Sequence, residues 1–335
     1  MDSLTQITTG ALIGEKILGH KMGNRAGLWG AIIGTIPDLD VFLSPFFDPV
    51  ENLFVHRGIS HSLLFCLLLA PLLGWMLRAI YRKSQPGLLQ WSFFSLWILV
   101  GAVFIDYLTT YGASIFWPFS DYRIELSTMA IVDVFFTLPL ITAMVIILLS
   151  SKHSGLRTRI KNGAIYFAII YLLLSGVHKV HQQRAFSQAL QEQGLSYERL
   201  RTQPMPLTNL LWMGLAETKD GYWLGYHSLL DGQNPGFEFI PRNELLLKPY
   251  MENEKVRRLL RFTKNYYTAS QHGSKLLLHD LRFGKFQIKN QSIYVFSFEI
   301  QTGKQPLQIR QTEPGADITG EDIKQYVENI FSLNR

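Results

Sequence analysis

The chain has 335 residues, 47% hydrophobic and 17% charged, with a formal net charge of +6 and a single cysteine, Cys66. That length suits about two structural units. The positive balance is not gathered into a basic patch interleaved with aromatics, so nucleic acid is not expected as a partner, and one cysteine excludes a disulfide framework within the chain.

The composition divides at about residue 180. Long apolar runs fill the first part, whereas from Lys179 onward polar and charged residues are spread evenly. The opening Met-Asp-Ser-Leu-Thr-Gln carries an acid where a signal peptide has its basic segment, so no cleavable signal is expected. Crossing a hydrocarbon core of about 30 Å takes about 20 helical residues. Six stretches are candidates in chain order: 4–19, 26–47, 62–81, 89–109, 129–149 and 163–179. The first is short and rich in small residues. Gly10 and Gly14, and again Gly30 and Gly34, stand one GxxxG apart, a spacing that lets two helices approach closely in lipid, so 4–19 and 26–47 are expected to pack as a pair. Excess Lys and Arg marks cytoplasmic loops. One set of loops holds Lys21, Arg25, Arg78, Arg82, Lys83, Lys152, Arg157, Arg159 and Lys161, and the alternate set only Arg57 and Arg123. The first set is therefore read as cytoplasmic, which puts everything after the last span outside.

Apart from Glu15, the acids of residues 1–180 map to that outer side: Asp2, Asp38, Asp40, Asp48, Glu51, Asp106, Asp121, Glu125 and Asp133. Loop solvation accounts for Asp48, Glu51, Asp121 and Glu125. Asp38 and Asp40 end an apolar segment, Asp106 lies within FIDYLTTYG and Asp133 within IVDVFF, where an ionisable group is costly and marks a polar cavity. His56 and His61 lie in HRGISHS, at the outer start of a span. With the carboxylates they offer the mixed N/O ligands that zinc, manganese or iron accept. Arg57 suits a phosphate or carboxylate as a two-pronged donor, and Ser62, Thr109, Thr110 and Tyr111 are expected as supporting or substrate contacts. The remaining seven histidines are read as structural or solvent-facing.

Residues 181–335 read as a soluble α+β domain. A polar helix is expected over 179–194, strands at 207–218 and 222–230 joined by the turn Lys219-Asp220-Gly221, a helix at 252–266, strands at 275–281 and 292–300, and a last helix at about 320–332. Trp212, Tyr222, Trp223 and Tyr226 are expected to fill a sheet face. The fold class expected is an all-α polytopic membrane helical bundle, residues 1–180 with about six spans, followed by this domain on the outer side.

MDSLTQ at 1–6, GTIPDLD at 34–40, HRGISHS at 56–62, DYLTTYG at 106–112, WPFSDYR at 117–123, and Asp133 followed by TLPL come in an order and spacing that resemble the YdjM-like family of bacterial inner-membrane, predicted metal-dependent hydrolases. The chain departs from the pattern at Gln6, where many relatives carry His, at Ala102-Val103, where they carry His-Pro, and at Val134, where they tend to have Pro. The resemblance implies a hydrolase of the cytoplasmic (inner) membrane acting on a lipid or envelope-linked substrate at the outer interface. In that reading Asp38, Asp40, His56, His61 and Asp106 hold zinc or manganese. Arg57 and Arg123 bind substrate anion, Ser62, Thr110 and Tyr111 line the site, and Asp2 or Asp133 is the general base. The alternatives are a non-catalytic scaffold or lipid-binding relative, and an ion-coupled transporter. Against transport, the acids gather at one surface and not at the bilayer midplane.

Overall fold

A computed structural model of the chain describes residues 1–81, 86–273, 275–288, 291–303, 306–312 and 320–331. Arg82 and Lys83, counted above among the cytoplasmic loop charges, lie outside the described residues, as does residue 332 at the end of the last expected helix. The chain forms two compact units, one of residues 1–46 and 54–176, the other of residues 47–53 and 177–335.

The first unit is helical. Helix α1 (Ser3–Met22) starts where Asp2 accepts the Thr5 N–H and ends at Gly23, whose φ of 58° breaks the helix. Helix α2 (Asn24–Thr35) gives way at Pro37: Ile36 ahead of it still holds helical φ and ψ, but a proline has no N–H with which to continue the α-helical bonding. The chain then tightens into a 3-10 segment, Pro37–Phe46, so the apolar stretch 26–47 is a helix and a tighter turn in series. Helix α3 (Pro49–Val55) begins in the second unit's segment and leads into the His56–Ser62 loop. Helices α4 (Leu63–Ile80), α5 (Leu88–Leu108) and α6 (Val134–Leu149) follow. Helix α7 (Gly155–Glu192) is 38 residues long. The apolar stretch 163–179 and the polar helix expected after it are one uninterrupted element, since no proline or capping signal separates them. Its residues through Gly176 belong to the first unit.

By length and apolar composition, Asn24–Phe46, α4, α5 and α7 can each cross a membrane, and α6 is a shorter apolar helix. Their outward faces carry large exposed apolar side chains, among them Leu68, Leu72 and Trp75 on α4 and Ile170, Leu173 and Val177 on α7. A surface of this extent suits lipid and not water. Helices α1 and α2 meet through their glycines: a Cβ on Gly30 would stand 2.2 Å from the Gly10 carbonyl oxygen, so only hydrogen fits there. Trp91, Phe94, Ile98 and Leu99 of α5, with Cys66 and Leu77 of α4 and Ile33 of α2, form a fully buried core beside this pair.

The second unit carries two antiparallel four-stranded sheets. The first runs in the order β1 (Arg199–Pro204), β2 (Leu211–Glu217), β3 (Gly221–Ser228) and β4 (Phe237–Pro241); the second in the order β5 (Tyr267–His272), β6 (Lys275–Ile288), β7 (Gln291–Gln301) and β8 (Gln308–Thr312). Short helix α8 (Glu244–Leu247), helix α9 (Glu254–Phe262) and helix α10 (Gly320–Phe331) complete it. Met213, Leu215, Tyr222 and Leu224 of the first sheet share one core with Leu281 of the second and Ile330 of α10.

His279 is buried in the second sheet, its two ring nitrogens 2.8 Å from Ser270 Oγ and 2.7 Å from Ser297 Oγ. Burial, helped by the charge of His272, pushes its imidazole down to about 4. An unfolded chain takes up that proton near pH 6.5, the folded one only near 4. Stability is therefore whole above pH 6.5 and falls as pH drops from 6.5 to 4, by about 3 kcal/mol for this group. Thermal unfolding of the full chain at pH 7 and pH 5 is expected to show a loss that His279→Gln reduces. An equal loss in the variant would exclude His279 as its source.

Candidate metal centre

The 3-10 segment advances about 120° per residue, so Asp38 and Asp40, two positions apart, point in different directions. They meet opposite ends of one imidazole. Asp38 Oδ1 lies 3.3 Å from His61 Nε2, and Asp40 Oδ2 lies 3.6 Å from His61 Nδ1. Asp106, in the last turn of α5, brings its Oδ2 to 3.2 Å from the same Nε2. One ligand atom each from Asp38, His61 and Asp106 falls within 4.8 Å of the others. His61 and Asp106 are fully buried.

The loop between α3 and α4 sets His61 in place. Arg57 adopts a left-handed conformation, φ 58°, and Gly58 packs so tightly that a Cβ would stand 2.4 Å from the Phe54 carbonyl oxygen. The reversal turns the Arg57 N–H onto Asp40 Oδ2 at 2.8 Å, and His56 Nδ1 meets Asp40 Oδ1 at 2.7 Å. Ser60 Oγ donates to Asp40 Oδ2 at 2.5 Å and lies 2.9 Å from His61 Nδ1. A hydroxyl has one proton. With that proton turned to the Asp40 carboxylate, Ser60 accepts from His61 Nδ1–H, and in that tautomer the ring presents its lone pair at Nε2. Burial holds His56 below the usual imidazole range even though Asp40 pulls the other way.

The inward-facing atoms are poorly satisfied. Among the described residues His61 Nε2 and Asp38 Oδ1 have no hydrogen-bond partner, although both are buried. With the ring proton on Nδ1, Nε2 turns a lone pair toward two carboxylate oxygens 3.2 and 3.3 Å away, which is the donor pattern of a cation site. One imidazole nitrogen and two carboxylates also match the donors that divalent transition metals accept, so these residues fit a metal ion.

Of the five ligands expected from sequence, Asp38, His61 and Asp106 face one another directly. Asp40 and His56 pair with each other and bear on His61 from behind. Arg57 is buried and reaches Asp106 Oδ1 at 3.1 Å and the Met1 carbonyl at 3.3 Å through Nη2. Its Nε and Nη1 have no hydrogen-bond partner among the described residues. The Met1 α-amino group also bonds Asp106. Tyr111 lies under both guanidinium groups, 4.8 Å from Arg57 Cζ and 4.6 Å from Arg123 Cζ to the ring centre, and Arg123 donates to the His56 carbonyl. Thr110 is buried beside Tyr111 in the chain, and Thr109 Oγ1 closes the end of α5 on the Asp106 carbonyl at 2.8 Å.

Three of the expected site residues are helix caps. Ser62 accepts the Phe65 N–H at the start of α4. Asp2 accepts the Thr5 N–H and hydroxyl at 3.0 and 2.6 Å. Asp133 caps α6 through the Phe136 N–H and takes the Tyr171 hydroxyl at 2.8 Å. Two residues at the centre were not read as contributors. Ser60 sits unmarked inside HRGISHS, and its position beside His61 was the available signal. Gln6 departs from the family pattern, yet its Nε2 lies 2.6 Å from Asp106 Oδ2.

Residues 1–184 match the family described as YdjM inner membrane protein. Inner membrane protein YbcI of Escherichia coli (strain K12) is 34% identical over 97 residues, which cover 28% of this chain and 54% of that protein. The match thus spans about half the length of that curated relative. No solved structure matches the chain.

Proposed function

The chain belongs to the YdjM inner membrane protein family, and on that footing we propose that it is a membrane-embedded, metal-dependent hydrolase of a lipid or envelope-linked substrate, working at the outer membrane–water interface. The observation that carries this reading is His61 Nε2, set between Asp38 and Asp106 with no hydrogen-bond partner among the described residues. Asp38, His61 and Asp106 are the proposed direct ligands, with Asp40 and Ser60 fixing the ring and His56 holding Asp40. A divalent ion there supplies Lewis-acid polarisation of a phosphoryl or acyl oxygen and acidifies water near it. Arg57, buried with spare N–H donors, holds the substrate's anionic group, and Tyr111, Arg123 and Thr110 shape that part of the site. Asp2, partly exposed, is the proposed proton acceptor. Asp133, fully buried and bonded by Tyr171, holds α6 and α7 together.

Elemental analysis of the purified, detergent-solubilised full chain is expected to find about one divalent metal per chain. A metal-free protein that takes up neither zinc nor manganese would sink the enzyme reading. It would favour instead a non-catalytic, lipid-binding role, which one observation supports: the Arg57 guanidinium already offsets part of the negative charge on Asp106. The proposed topology is multi-pass with the C-terminal domain outside. Protease added to intact spheroplasts is expected to digest that domain, and protection until lysis would reverse the orientation.

A further inference from the structure

We infer that Gln6 donates its side-chain oxygen to the cation as a fourth ligand, which makes the centre oxygen-rich and shifts its preference toward manganese-type ions. This rests on the metal-binding reading above. Gln6 is 1% exposed and lies one turn beyond Asp2 on the face of α1 turned to α5. Its Nε2 contacts Asp106 Oδ2 at 2.6 Å and the Ala102 carbonyl at 3.3 Å, two acceptors one helical turn apart. Its Oε1 has no hydrogen-bond partner among the described residues and is buried. The two ends of a primary amide are about 2.3 Å apart, so Oε1 lies within about 5 Å of Asp106 Oδ2, which is itself one of the three converging ligand atoms.

A buried carbonyl oxygen beside the Asp106 carboxylate attracts a donor proton or a cation. Gln6's own amide nitrogen is already turned to Asp106 and Ala102. Rotating the amide by 180° exchanges oxygen for nitrogen in nearly the same volume, so the side chain can put its oxygen on a cation without repacking α1 against α5. The donor set is then three oxygens, from Asp38, Asp106 and Gln6, with one imidazole nitrogen. Oxygen donors suit manganese, while nitrogen and sulfur suit zinc. Zinc binds more tightly than manganese at nearly any such site, so the signature is the ratio of the two affinities, not their order.

The test titrates the metal-stripped, detergent-solubilised full chain with Mn2+ and with Zn2+, reading Mn2+ by its electron paramagnetic resonance and Zn2+ by chelator competition. Gln6→Leu is expected to weaken Mn2+ binding about tenfold or more. Gln6→His is expected to raise the Zn2+-to-Mn2+ affinity ratio by about tenfold or more, and Gln6→Glu to tighten Mn2+. Equal metal-free melting temperatures identify the variants that remain folded, and the polar pair carries the test where Gln6→Leu does not. If all folded Gln6 variants keep both affinities within about twofold while His61→Ala loses the metal, Gln6 is not a ligand and the metal centre stands without it. If His61→Ala and Asp38→Asn also leave metal binding unchanged, the metal reading falls, and this inference with it.

Discussion

His61→Ala is expected to lose more than about 100-fold in metal affinity, beyond the 10- to 100-fold typical of supporting residues, without unfolding the helical unit. The imidazole is the only nitrogen donor among the three groups that converge, and its Nε2 stands 3.2 and 3.3 Å from the two carboxylate oxygens. Asp40 and Ser60 act one step removed. Ser60 Oγ donates to Asp40 Oδ2 and lies 2.9 Å from His61 Nδ1, so Asp40→Asn and Ser60→Ala are expected to cost about 10- to 100-fold each, because the ring is left free to turn or to change tautomer. Calorimetric titration of the stripped protein with Zn2+ measures all three. Wild-type affinity in His61→Ala would rule out this imidazole as a ligand. Equal losses in Asp40→Asn and His61→Ala would move Asp40 among the direct ligands.

Arg157→Leu is expected to destabilise the helical unit by about 3–5 kcal/mol, the usual cost of leaving one charge of a buried pair unpaired. Arg157 Nε and Nη2 grip both oxygens of Glu15 at 2.9 and 2.7 Å, and Nη1 reaches Asn24 Oδ1 and the carbonyls of Ile147 and Ser150 at 2.7 to 3.0 Å. The two side chains are 3% and 2% exposed. One guanidinium thus joins α1, the start of α2, the end of α6 and α7. Glu15 lies about two and a half turns along α1 from Gln6, so this junction closes the bundle well away from the candidate metal centre. Glu15→Gln is expected to cost a comparable amount. Glu15→Leu with Arg157→Leu should recover much of it, since the pair's combined desolvation cost disappears. Denaturant titration in detergent, arranged as a double-mutant cycle, reads the coupling. Additive losses would show that the two charges do not depend on each other.

Strand recognition failed in a regular way. The four strands legible in the sequence, β2, β3, β6 and β7, occupy the middle positions of their sheets, and the four overlooked, β1, β4, β5 and β8, are the edges. A middle strand is paired along both edges, and β2, LWMGLAE, is also buried throughout, so its apolar run shows plainly in the sequence. An edge strand such as Gln308–Thr312 shows polar side chains to water and carries no such pattern. The helices α4 and α5 were legible because lipid demands about 20 apolar residues. The break at Pro37 and the continuity of α7 were less so, since hydropathy does not distinguish a 3-10 turn from a helix or a span from its polar extension.

Taken by themselves, the residues determined a membrane-embedded helical part, an α+β part after it, and the three motifs from which a polar centre is built. Those properties are local: they depend on apolar run length, on alternation and on which ionisable side chains interrupt an apolar segment. Only the tertiary structure decided how the motif residues divide their work. It set Asp38, His61 and Asp106 face to face, moved Asp40 and Ser60 behind the ring, brought in Gln6 from α1 and sent Ser62 and Asp133 to cap helices. It also paired Glu15 with Arg157 across 142 positions. Such choices depend on the direction in which each side chain leaves its backbone, which the packing of the helices sets and residue spacing alone does not.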